Sequence, residues 1–357
     1  MSSPKVSLLV PIYNVERYLD QCLESVRIQT LHDIEVICIN DGSTDGSPAI
    51  IERFVHDDPR FRVINKENSG YGASMNMGLD AARGEYIGIL ESDDYLEPDA
   101  LERLVATAET FDVPVVKANF WFYWSEPVEK NEVFDFVDHE IAGRVVDPHV
   151  VTDFFYRKPS IWSAVYRRSF LADNGIRFLE TPGASFQDSA FNFKVWASAR
   201  RVVGIDTPVI HYRQDNESSS VNSPSKVYCI CEEHDEMHRF LLGRSDFDEL
   251  KPIQEKMKYD NYMWNYDRLS EPLKREFIQR IADEFRDDIE AGYVDLNLFE
   301  PWKRRDLQLI MDSPLSFHAS RELAKAKKPS VLEKCRRYYQ VGGFPLLLEA
   351  VKRKLSR

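Results

Sequence analysis

Three carboxylates stand close together where an apolar segment of the chain ends. Residues 86–90 read YIGIL, and the next four residues, ESDD, place Glu91, Asp93 and Asp94 around Ser92. Like charges at this spacing raise one another's pKa unless a cation compensates them. Mg²⁺ and Mn²⁺ bind one or two such carboxylates and complete their coordination with phosphate oxygens and water. The cluster therefore predicts a divalent metal site that receives a phosphorylated ligand.

Two glycine-containing loops could hold the rest of such a ligand. Asp41 ends an apolar run and opens NDGSTDGS, where its carboxylate can accept a hydrogen bond from a ligand and the glycines allow close approach. The same residues also suit an Asx turn and a helix start, with Ser47 as cap and Pro48 as first helical residue. The loop ENSGYGAS, with Gly70 and Gly72, could cradle a phosphate or form a plain turn. Both pairs of alternatives stay open.

Two sites farther along the chain add candidates. In ASFQDSAF, Asp188 begins a helix whose apolar face includes Phe191 and Trp196, so its carboxylate lies near a positive helix end. An ordinary carboxylate at a helix N-terminus would look the same. In HYRQDN, His211 and Arg213 are two positions apart and therefore lie on one face of a strand. They suit a metal ligand or a phosphate clamp, or the plain end of a strand.

The elements that must position these residues are the strands and helices of a parallel sheet. The predicted strands are VSLLVPIY, IEVICIND, FRVIN and YIGIL, and the helical segments between them are ERYLDQCLESVRIQ, SPAIIERFV and GASMNMGLDAA. This alternation indicates an α/β fold, in which ligands bind beyond the carboxyl ends of the strands. The loops PIYN, NDGSTDGS, NKENSGYGAS and ESDD should therefore converge on one pocket. The first of them contains no glycine, and G-x-G-x-x-G spacing is absent, which disfavours a nicotinamide-dependent enzyme.

Composition divides the chain into three segments. Residues 1–110 carry the alternating elements, and residues 111–223 are rich in aromatic side chains, with strands near VPVVKANFWFYW and VIHYR and helices near IWSAVYRRSFLADN and QDSAFNFKVWASAR. We expect these to be two halves of one α/β domain, followed by a helical region at 224–357. Successive strand residues point to opposite faces, so about half of the aromatic side chains at 121–124 should be core. The others could stack on the flat face of a ligand.

Overall composition excludes several classes of protein. The chain has 357 residues, 43% of them hydrophobic, which is enough for two or three packed units. Its net charge of −13 argues against a nucleic-acid binder, which needs a basic face. No apolar stretch approaches the ~20 residues that span a bilayer, and the start is unlike a signal peptide. We expect a cytoplasmic protein whose five scattered cysteines are reduced thiols.

The C-terminal tail differs in charge from the rest of the chain. Residues 321–357 contain eleven Lys and Arg against three Glu, a local net charge of +8. Together with Phe344 and residues 346–348, these charges are compatible with a helix lying on the inner face of a membrane. A terminal helix docked on its own domain is the slightly preferred alternative.

A possible zinc site in CICEEHDEMH is rejected. Cys231, His234 and His238 lie on one helical face at a spacing that could hold zinc. A buried thiol with surface histidines explains the same pattern.

Taken together, the motifs resemble those of the family 2 glycosyltransferases with the GT-A fold. The resemblance rests on PIYNVERYLDQCLESVRIQT, EVICINDGSTDGS and ENSGYGASMNMGLDAARGEYIGILESDDYLEPDAL, with QDSAF and HYR downstream, and it covers roughly residues 4–215. It implies a Rossmann-like, mostly parallel sheet with helices on both faces. It also implies a nucleotide-sugar donor, most often a UDP-sugar, and Mn²⁺ or Mg²⁺ as cofactor.

The resemblance assigns roles to individual residues. Asp93 would bind the metal that bridges the diphosphate, Glu91 with Ser92 would face the ribose, and Asp188 would be the catalytic base. His211 matches a position that adds a metal or phosphate contact in some members. The nucleotide base would lie against Pro11, Tyr13, Glu16 and Asp41, next to the loop of Asn68 and Gly70.

Three departures from the family pattern bear on these roles. Glu91 stands where Asp is commoner, Met75 where many members have Arg, and Gln187 where Glu usually precedes the base. The first two bear on donor contacts, and the third removes a charged neighbour from Asp188.

The resemblance implies an inverting transfer in which Asp188 takes the proton of an acceptor hydroxyl that attacks the anomeric carbon. The acceptor would be a glycan, glycolipid or polyol phosphate in surface-polysaccharide assembly. A catalytically inactive nucleotide-sugar-binding subunit is the alternative. A homo-oligomer is compatible with either function.

Overall fold

The computed structural model describes residues 3–183, 186–216 and 227–326, with Tyr339, Phe344 and Leu348 beyond them. The chain forms two compact units, one of residues 1–223 and 235–240 and the other of residues 224–234 and 241–357. Apart from those three residues, the end of the basic tail lies outside the described residues, and so does the membrane helix expected there. No helix in the described part is long and apolar enough to cross a membrane.

The first half of the larger unit alternates strands and helices as the sequence predicts. Its elements are β1 (Val6–Ile12), α1 (Glu16–Arg27), β2 (Ile34–Asn40), α2 (Ser47–Asp57), β3 (Phe61–Asn65), α3 (Tyr71–Ala81), β4 (Tyr86–Ile89), β5 (Tyr95–Leu96) and α4 (Ala100–Phe111). Strands β1, β2 and β4 are buried at every position, which explains why their sequences are continuous apolar runs rather than alternating ones.

The aromatic-rich half adds shorter elements to the same unit. They are β6 (Val115–Ala118), β7 (Phe120–Trp124), β8 (Lys130–Phe134), β9 (Val145–Val146), α5 (Asp153–Tyr156), β10 (Ala164–Arg167), α6 (Arg168–Asp173), α7 (Gln187–Ser198), β11 (Val202–Ile205) and β12 (Ile210–Arg213). The division of this unit into halves at residues 110 and 111 stays a prediction.

Two sheets organise the larger unit. The main sheet has eight strands in the order β3-β2-β1-β4-β10-β6-β11-β9, and the second has four in the order β5-β12-β7-β8. In the main sheet, β3, β2, β1 and β4 are parallel, as are β6 and β11, whereas β10 runs antiparallel to both β4 and β6. The predicted α/β fold with a mostly parallel sheet is confirmed.

The segment IWSAVYRRSFLADN is not the continuous helix predicted from its pattern. It begins with a 3-10 turn at Ile161–Ser163, continues as β10 and becomes helical only in α6. Ala164, Val165 and Tyr166 are buried in the gap between β4 and β6, where pairing on both sides outweighs local helical preference. The segment thereby joins the two parallel groups of strands.

After residue 226 the described chain is helical, as predicted. The helices are α8 (Cys229–Leu241), α9 (Phe247–Arg268), α10 (Glu271–Glu290), α11 (Pro301–Asp312) and α12 (Pro314–Ala326). Most of α9 is buried, including Lys258, whose ammonium lies 2.8 Å from Glu284 and 2.7 Å from Asp288. Burial of these charges is tolerated because they are paired.

The structure also shows the surroundings of Cys231 and His234, two residues of the rejected zinc site. Cys231 is buried as expected, but His234 is buried rather than at the surface, with ring nitrogens 3.0 and 3.1 Å from the amides of Gln254 and Asn261. In the described residues, both ring nitrogens of His234 therefore face side-chain amides.

Candidate functional site

The loops after β1 and β2 are joined by hydrogen bonds at the carboxyl edge of the main sheet. Pro11 is buried near the end of β1, whereas Tyr13 is 53% exposed at the rim. Glu16 begins α1, and its carboxylate accepts a hydrogen bond from the Gly46 N–H in the second loop. The side chain of Tyr13 is therefore open to a ligand, while that of Glu16 helps to shape the loops.

Ser47 does not cap helix α2 as the sequence predicted. Its hydroxyl accepts a hydrogen bond from the Val15 N–H at 3.1 Å, in the first loop. The carboxylate of Asp45 bonds the start of the helix instead, accepting from the Ser47 N–H at 3.0 Å, and it also accepts from the Glu16 N–H at 2.9 Å. Both side chains thus join the first loop to the second.

Asp41 connects the second loop to the third. Its buried carboxylate accepts hydrogen bonds from Lys66, from the Ser69 N–H at 2.9 Å and from the Gly70 N–H at 3.0 Å. Gly70 has φ +94°, a conformation that favours glycine, and Asn68 is exposed beside it. Because both oxygens of Asp41 already accept hydrogen bonds, contact with a nucleotide base stays a prediction.

The carboxylates of ESDD have separate hydrogen-bond partners but lie close enough for their charges to act on one another. Glu91 accepts a hydrogen bond from the Tyr71 hydroxyl at 2.7 Å, and Asp93 accepts from the Asn216 amide at 2.8 Å. Burial raises the pKa of Glu91 to about 8, opposed by the Tyr71 hydrogen bond and reinforced by the negative charges of Asp93 and Asp188. Burial and the charge of Asp93 raise the pKa of Asp94 well above its usual range.

This group fits a divalent cation by the chemistry of its oxygens. Asp94 is buried, and although its Oδ1 accepts from the Arg213 N–H at 2.8 Å, its Oδ2 has no partner among the described residues. Within the described residues, no group of three or more His, Cys, Asp or Glu side chains could hold a metal ion. That is expected for Mg²⁺ or Mn²⁺, which take only one or two carboxylates when a diphosphate and water supply the other oxygens.

Arg213 is a support inside the protein, not an open phosphate clamp. Its guanidinium donates to the Asp93 carbonyl at 2.9 Å and to Gln21 at 2.6 Å. It also lies between the rings of Tyr18 and Tyr123, 4.5 and 4.9 Å from their centroids. Arg213 therefore holds the backbone of the predicted metal ligand in place.

His211 lies in an aromatic stack with both ring nitrogens engaged. Its ring is stacked on Tyr95, 4.2 Å between centroids. Nδ1 lies 2.8 Å from the Asn131 Oδ1, and Nε2 lies 2.8 Å from the Glu97 Oε1. Burial lowers the pKa of His211, although Glu97 opposes the shift. A metal or phosphate contact by His211 stays a prediction that would require the ring to release one of these partners.

Asp188 occupies the second position of α7 and is half-buried. Burial raises its pKa to about 6, although the positive charge of Lys158 and hydrogen bonds from Ser189 oppose the shift. Lys158 was not predicted from the sequence. Its ammonium lies 4.9 Å from the centre of the Tyr212 ring, and no distinctive spacing marks it in the sequence.

The surroundings of Tyr212 show that the ESDD carboxylates and Asp188 belong to one region of the structure. Its ring stacks on Trp162, 4.7 Å between centroids, and the negative charges of Asp94 and Asp188 add to burial in raising its pKa. The ESDD carboxylates and Asp188 therefore lie close enough for their charges to act on one another and on Tyr212. His211 precedes Tyr212 in the same strand, so its side chain points to the opposite face of the small sheet.

Comparisons with known proteins agree with this geometry. The model of the family described as Glycosyl transferase family 2 matches residues 7–181. EpsH of Bacillus subtilis, which is named as a glycosyltransferase, is 39% identical over 60% of this chain and 62% of EpsH. Glycosyltransferase GlyG of Streptococcus pneumoniae is 31% identical over 60% of this chain and 73% of GlyG. The chain thus spans less than two thirds of EpsH.

A solved structure resembles this protein in fold over more of the chain than the family model matches. The structure of S. aureus TarS 1-349 in complex with UDP-GlcNAc superimposes with a TM-score of 0.70 at 20% identity, covering 90% of this chain and 91% of that one. This likeness confirms the predicted GT-A fold. With the family match, the similarity to GlyG over most of its length and the carboxylates gathered at the edge of the sheet, the chain belongs to glycosyl transferase family 2.

Proposed function

We propose that this glycosyltransferase moves a sugar from a UDP-sugar to a hydroxyl of a carbohydrate or lipid-linked acceptor, with inversion and with Mg²⁺ or Mn²⁺ as cofactor. The observation that carries the proposal is the convergence of the ESDD carboxylates with Asp188. Burial raises the pKa of Glu91 to about 8 and that of Asp188 to about 6. Perturbed carboxylates gathered at a loop edge are typical of catalytic sites.

The donor half of the proposal rests on the three loops joined through Glu16, Asp45 and Asp41. They present exposed Tyr13 and Asn68 at the rim of the site, where a nucleotide base could lie. Uridine is the favoured base because TarS, which shares the fold, was solved with UDP-GlcNAc. Pro11 and Gly70 would border the base from below, and Ser92 would lie beside the ribose with Glu91.

The metal would be held by Asp93, whose Oδ1 points to no described partner, with the unpaired Oδ2 of Asp94 close by. When bound, the cation would stabilise the negative charge of the departing diphosphate. Arg213 and Asn216 contribute by fixing the backbone and one carboxylate oxygen of Asp93. The oxygen chemistry favours Mg²⁺ or Mn²⁺ over softer metals.

Asp188 is the proposed base. With a pKa near 6 it is mostly ionised at pH 7, yet close enough to neutrality to accept a proton efficiently. The acceptor hydroxyl would lose its proton to Asp188 while attacking the anomeric carbon opposite the diphosphate. The half-buried ring of Tyr212, stacked on the buried Trp162, offers a flat apolar surface suited to a sugar ring.

The finer assignments are inferred from resemblance and composition. They are a role in surface-polysaccharide assembly with a glycan, glycolipid or polyol-phosphate acceptor, a cytoplasmic location, contact between the basic tail and the inner face of a membrane, and a homo-oligomer. The inactive nucleotide-sugar-binding subunit has no specific observation in its favour, since the proposed base and metal ligands are all present.

The direct test is a screen of nucleotide sugars. We expect UDP-sugars with Mn²⁺ to raise the melting temperature more than GDP- or CMP-sugars, because ligands that bind only the folded state stabilise it. We also expect the best UDP-sugar to be hydrolysed slowly when water replaces the acceptor. Binding without any hydrolysis or transfer would favour the inactive subunit, and a preference for another nucleotide would reject the uridine assignment.

A second prediction concerns the pH dependence of catalysis. Removing the positive charge in Lys158→Met should raise the pKa of Asp188 above about 6, since that charge favours the ionised carboxylate. A base is active when ionised, so activity is lost as pH falls through its pKa. The acid limb of the kcat/KM profile should therefore move to higher pH in the variant.

Lys130→Met is the matched control for this measurement. Lys130 also lies over an aromatic ring, 5.0 Å from the centre of Trp124, but it is not among the groups that shift the pKa of Asp188. We expect its acid limb to coincide with that of the wild type. Coincidence of the Lys158→Met profile with the wild type would contradict the effect of the Lys158 charge on the pKa of Asp188.

A further inference from the structure

The segment 178–183, which precedes α7, is bound tightly to helix α3. The side-chain amide of Asn76, in α3, forms hydrogen bonds with both the N–H and the carbonyl of one residue of the segment. Its Oδ1 accepts from the Phe178 N–H at 3.0 Å, and its Nδ2 donates to the Phe178 carbonyl at 3.0 Å and to Glu180 at 2.8 Å. Asn76 is 4% exposed, so water does not replace these hydrogen bonds. One buried side chain thus fixes the start of the segment.

The end of the segment crosses the first turn of α3 at van der Waals distance. The Tyr71 N–H donates to the Gly183 carbonyl at 2.9 Å. A Cβ atom on Gly70 would lie 2.8 Å from the Gly183 nitrogen, and one on Gly72 would overlap the Leu179 carbonyl oxygen. Glycine is required at both positions because the backbone of the segment occupies the space of a side chain.

Gln187 ties the same segment to the helix of the proposed base. It is 1% exposed in the first position of α7, directly before Asp188. Its Nε2 donates to the Thr181 hydroxyl at 2.9 Å and to the Gly183 carbonyl at 3.2 Å. A Glu, usual here in the family that the sequence resembles, could not donate either hydrogen bond when ionised.

The same turn of α3 belongs to the donor side of the site. Asp41 accepts the N–H groups of Ser69 and Gly70, and the Tyr71 hydroxyl donates to Glu91. A continuous series of hydrogen bonds therefore runs from Asp41 through the start of α3 and the 178–183 segment to Gln187.

We propose that the 178–183 segment couples occupation of the nucleotide loops to the placement of Asp188, with Asn76 and Gln187 as positioning residues. The proposal rests on the function proposed above. A nucleotide–metal complex against Glu91 and the Asn68–Gly70 loop holds the first turn of α3, which holds the segment and hence the start of α7. Neither Asn76 nor Gln187 needs to contact the substrate.

The test compares Asn76→Ala with Asn119→Ala. Asn119 is a close structural match: its Oδ1 accepts from the Val137 N–H at 2.6 Å, and its Nδ2 donates to the Val137 carbonyl at 3.3 Å and the Asp206 carbonyl at 3.1 Å. Both variants lose a buried amide that forms hydrogen bonds with both backbone groups of one residue, so both should lower the melting temperature.

We expect only Asn76→Ala to lower kcat for hydrolysis of the UDP-sugar selected by the screen, by about tenfold or more, since small misplacements of a catalytic group are costly. UDP–Mn²⁺ affinity should stay within about twofold of the wild type.

Amide hydrogen exchange supplies a readout that does not depend on catalysis. In the wild type and in Asn119→Ala, UDP with Mn²⁺ should slow exchange in residues 178–183, and in Asn76→Ala it should not. Gln187→Met, nearly isosteric and without a donor, should lower kcat in the same way if Asn76→Ala does not fold.

Three results would overturn the coupling: equal kcat losses in the Asn76 and Asn119 variants, a wild-type kcat in both Asn76→Ala and Gln187→Met, or exchange in the segment that UDP–Mn²⁺ does not change in the wild type. Full turnover in Asp188→Asn would instead reject the proposed base. The exchange result would then still show whether the segment responds to nucleotide.

Discussion

Asp188→Asn is expected to abolish sugar transfer while leaving donor affinity nearly unchanged. The amide has almost the shape of the carboxylate but cannot take the proton of the acceptor hydroxyl. Because proton transfer occurs in the transition state, its loss lowers kcat rather than ground-state binding. Loss of a general base typically costs ~10²–10⁴ in rate. Among the variants considered, this one should have the largest effect on turnover.

The measurement is turnover with UDP-sugar and acceptor, alongside UDP–Mn²⁺ affinity by calorimetry. Asp153→Asn is the matched control, since Asp153 also lies in the first turn of a helix, α5, but is exposed and forms an ion pair with Arg157 at 3.7 Å. Turnover within a few-fold of the wild type in Asp188→Asn would require another base, and Asp94 and His211 would be the next candidates. Collapse of donor affinity would show that Asp188 is a donor contact or a structural carboxylate.

Asp93→Ala is expected to lose the metal-dependent part of donor affinity. In the absence of metal, the variant should bind UDP as weakly as the wild type does. The reason is electrostatic: Asp93 provides a half-buried carboxylate oxygen free to meet a cation, and Arg213 and Asn216 hold it in place. Without that ligand, the cation cannot bridge the protein and the diphosphate.

Calorimetric titration of UDP with Mn²⁺, and again with a chelator, measures the difference directly. Asp99→Ala serves as control, because Asp99 follows the same loop but pairs with Arg103 at 2.5 Å, outside the cluster. Metal-dependent affinity that survives in Asp93→Ala would move the metal site elsewhere. An equal loss in Asp99→Ala would point to disruption of the loop rather than loss of a ligand.

The parts of the fold that were predicted correctly are those whose type is determined by the pattern of neighbouring residues. Strands such as β1 and β2 are continuous apolar runs, and α1 has helical periodicity, so their type can be read within a dozen residues. β10 was missed because its extended state depends on pairing with β4 and β6, which lie far away along the chain. The local sequence of Ala164–Arg167 does not by itself predict that strand pairing.

The residues of the candidate site were likewise predictable only where the local sequence marks them. Glu91, Asp93 and Asp94 could be found because three carboxylates in four residues stand out in any chain. Arg213 was noticed for its spacing from His211, but its support of Asp93 depends on how β12 meets a loop 120 residues earlier.

Lys158 and Asn76 had no local signal at all. Both were found only when distant segments were placed side by side: Lys158 over Tyr212, and Asn76 against Phe178. Residues of this kind become visible only when tertiary contacts are known.

The antiparallel strand β10 has a consequence for how the protein is made. While the chain is being synthesised, β1 to β4 can pair as soon as residue 89 has left the ribosome, but β4 then presents an open edge. That edge stays uncovered until Ala164–Arg167 emerges, and unpaired strand edges favour aggregation. At ~5–20 residues per second, the delay lasts several seconds. A nascent chain stalled before β10 would expose this edge for longer and would be more prone to aggregate.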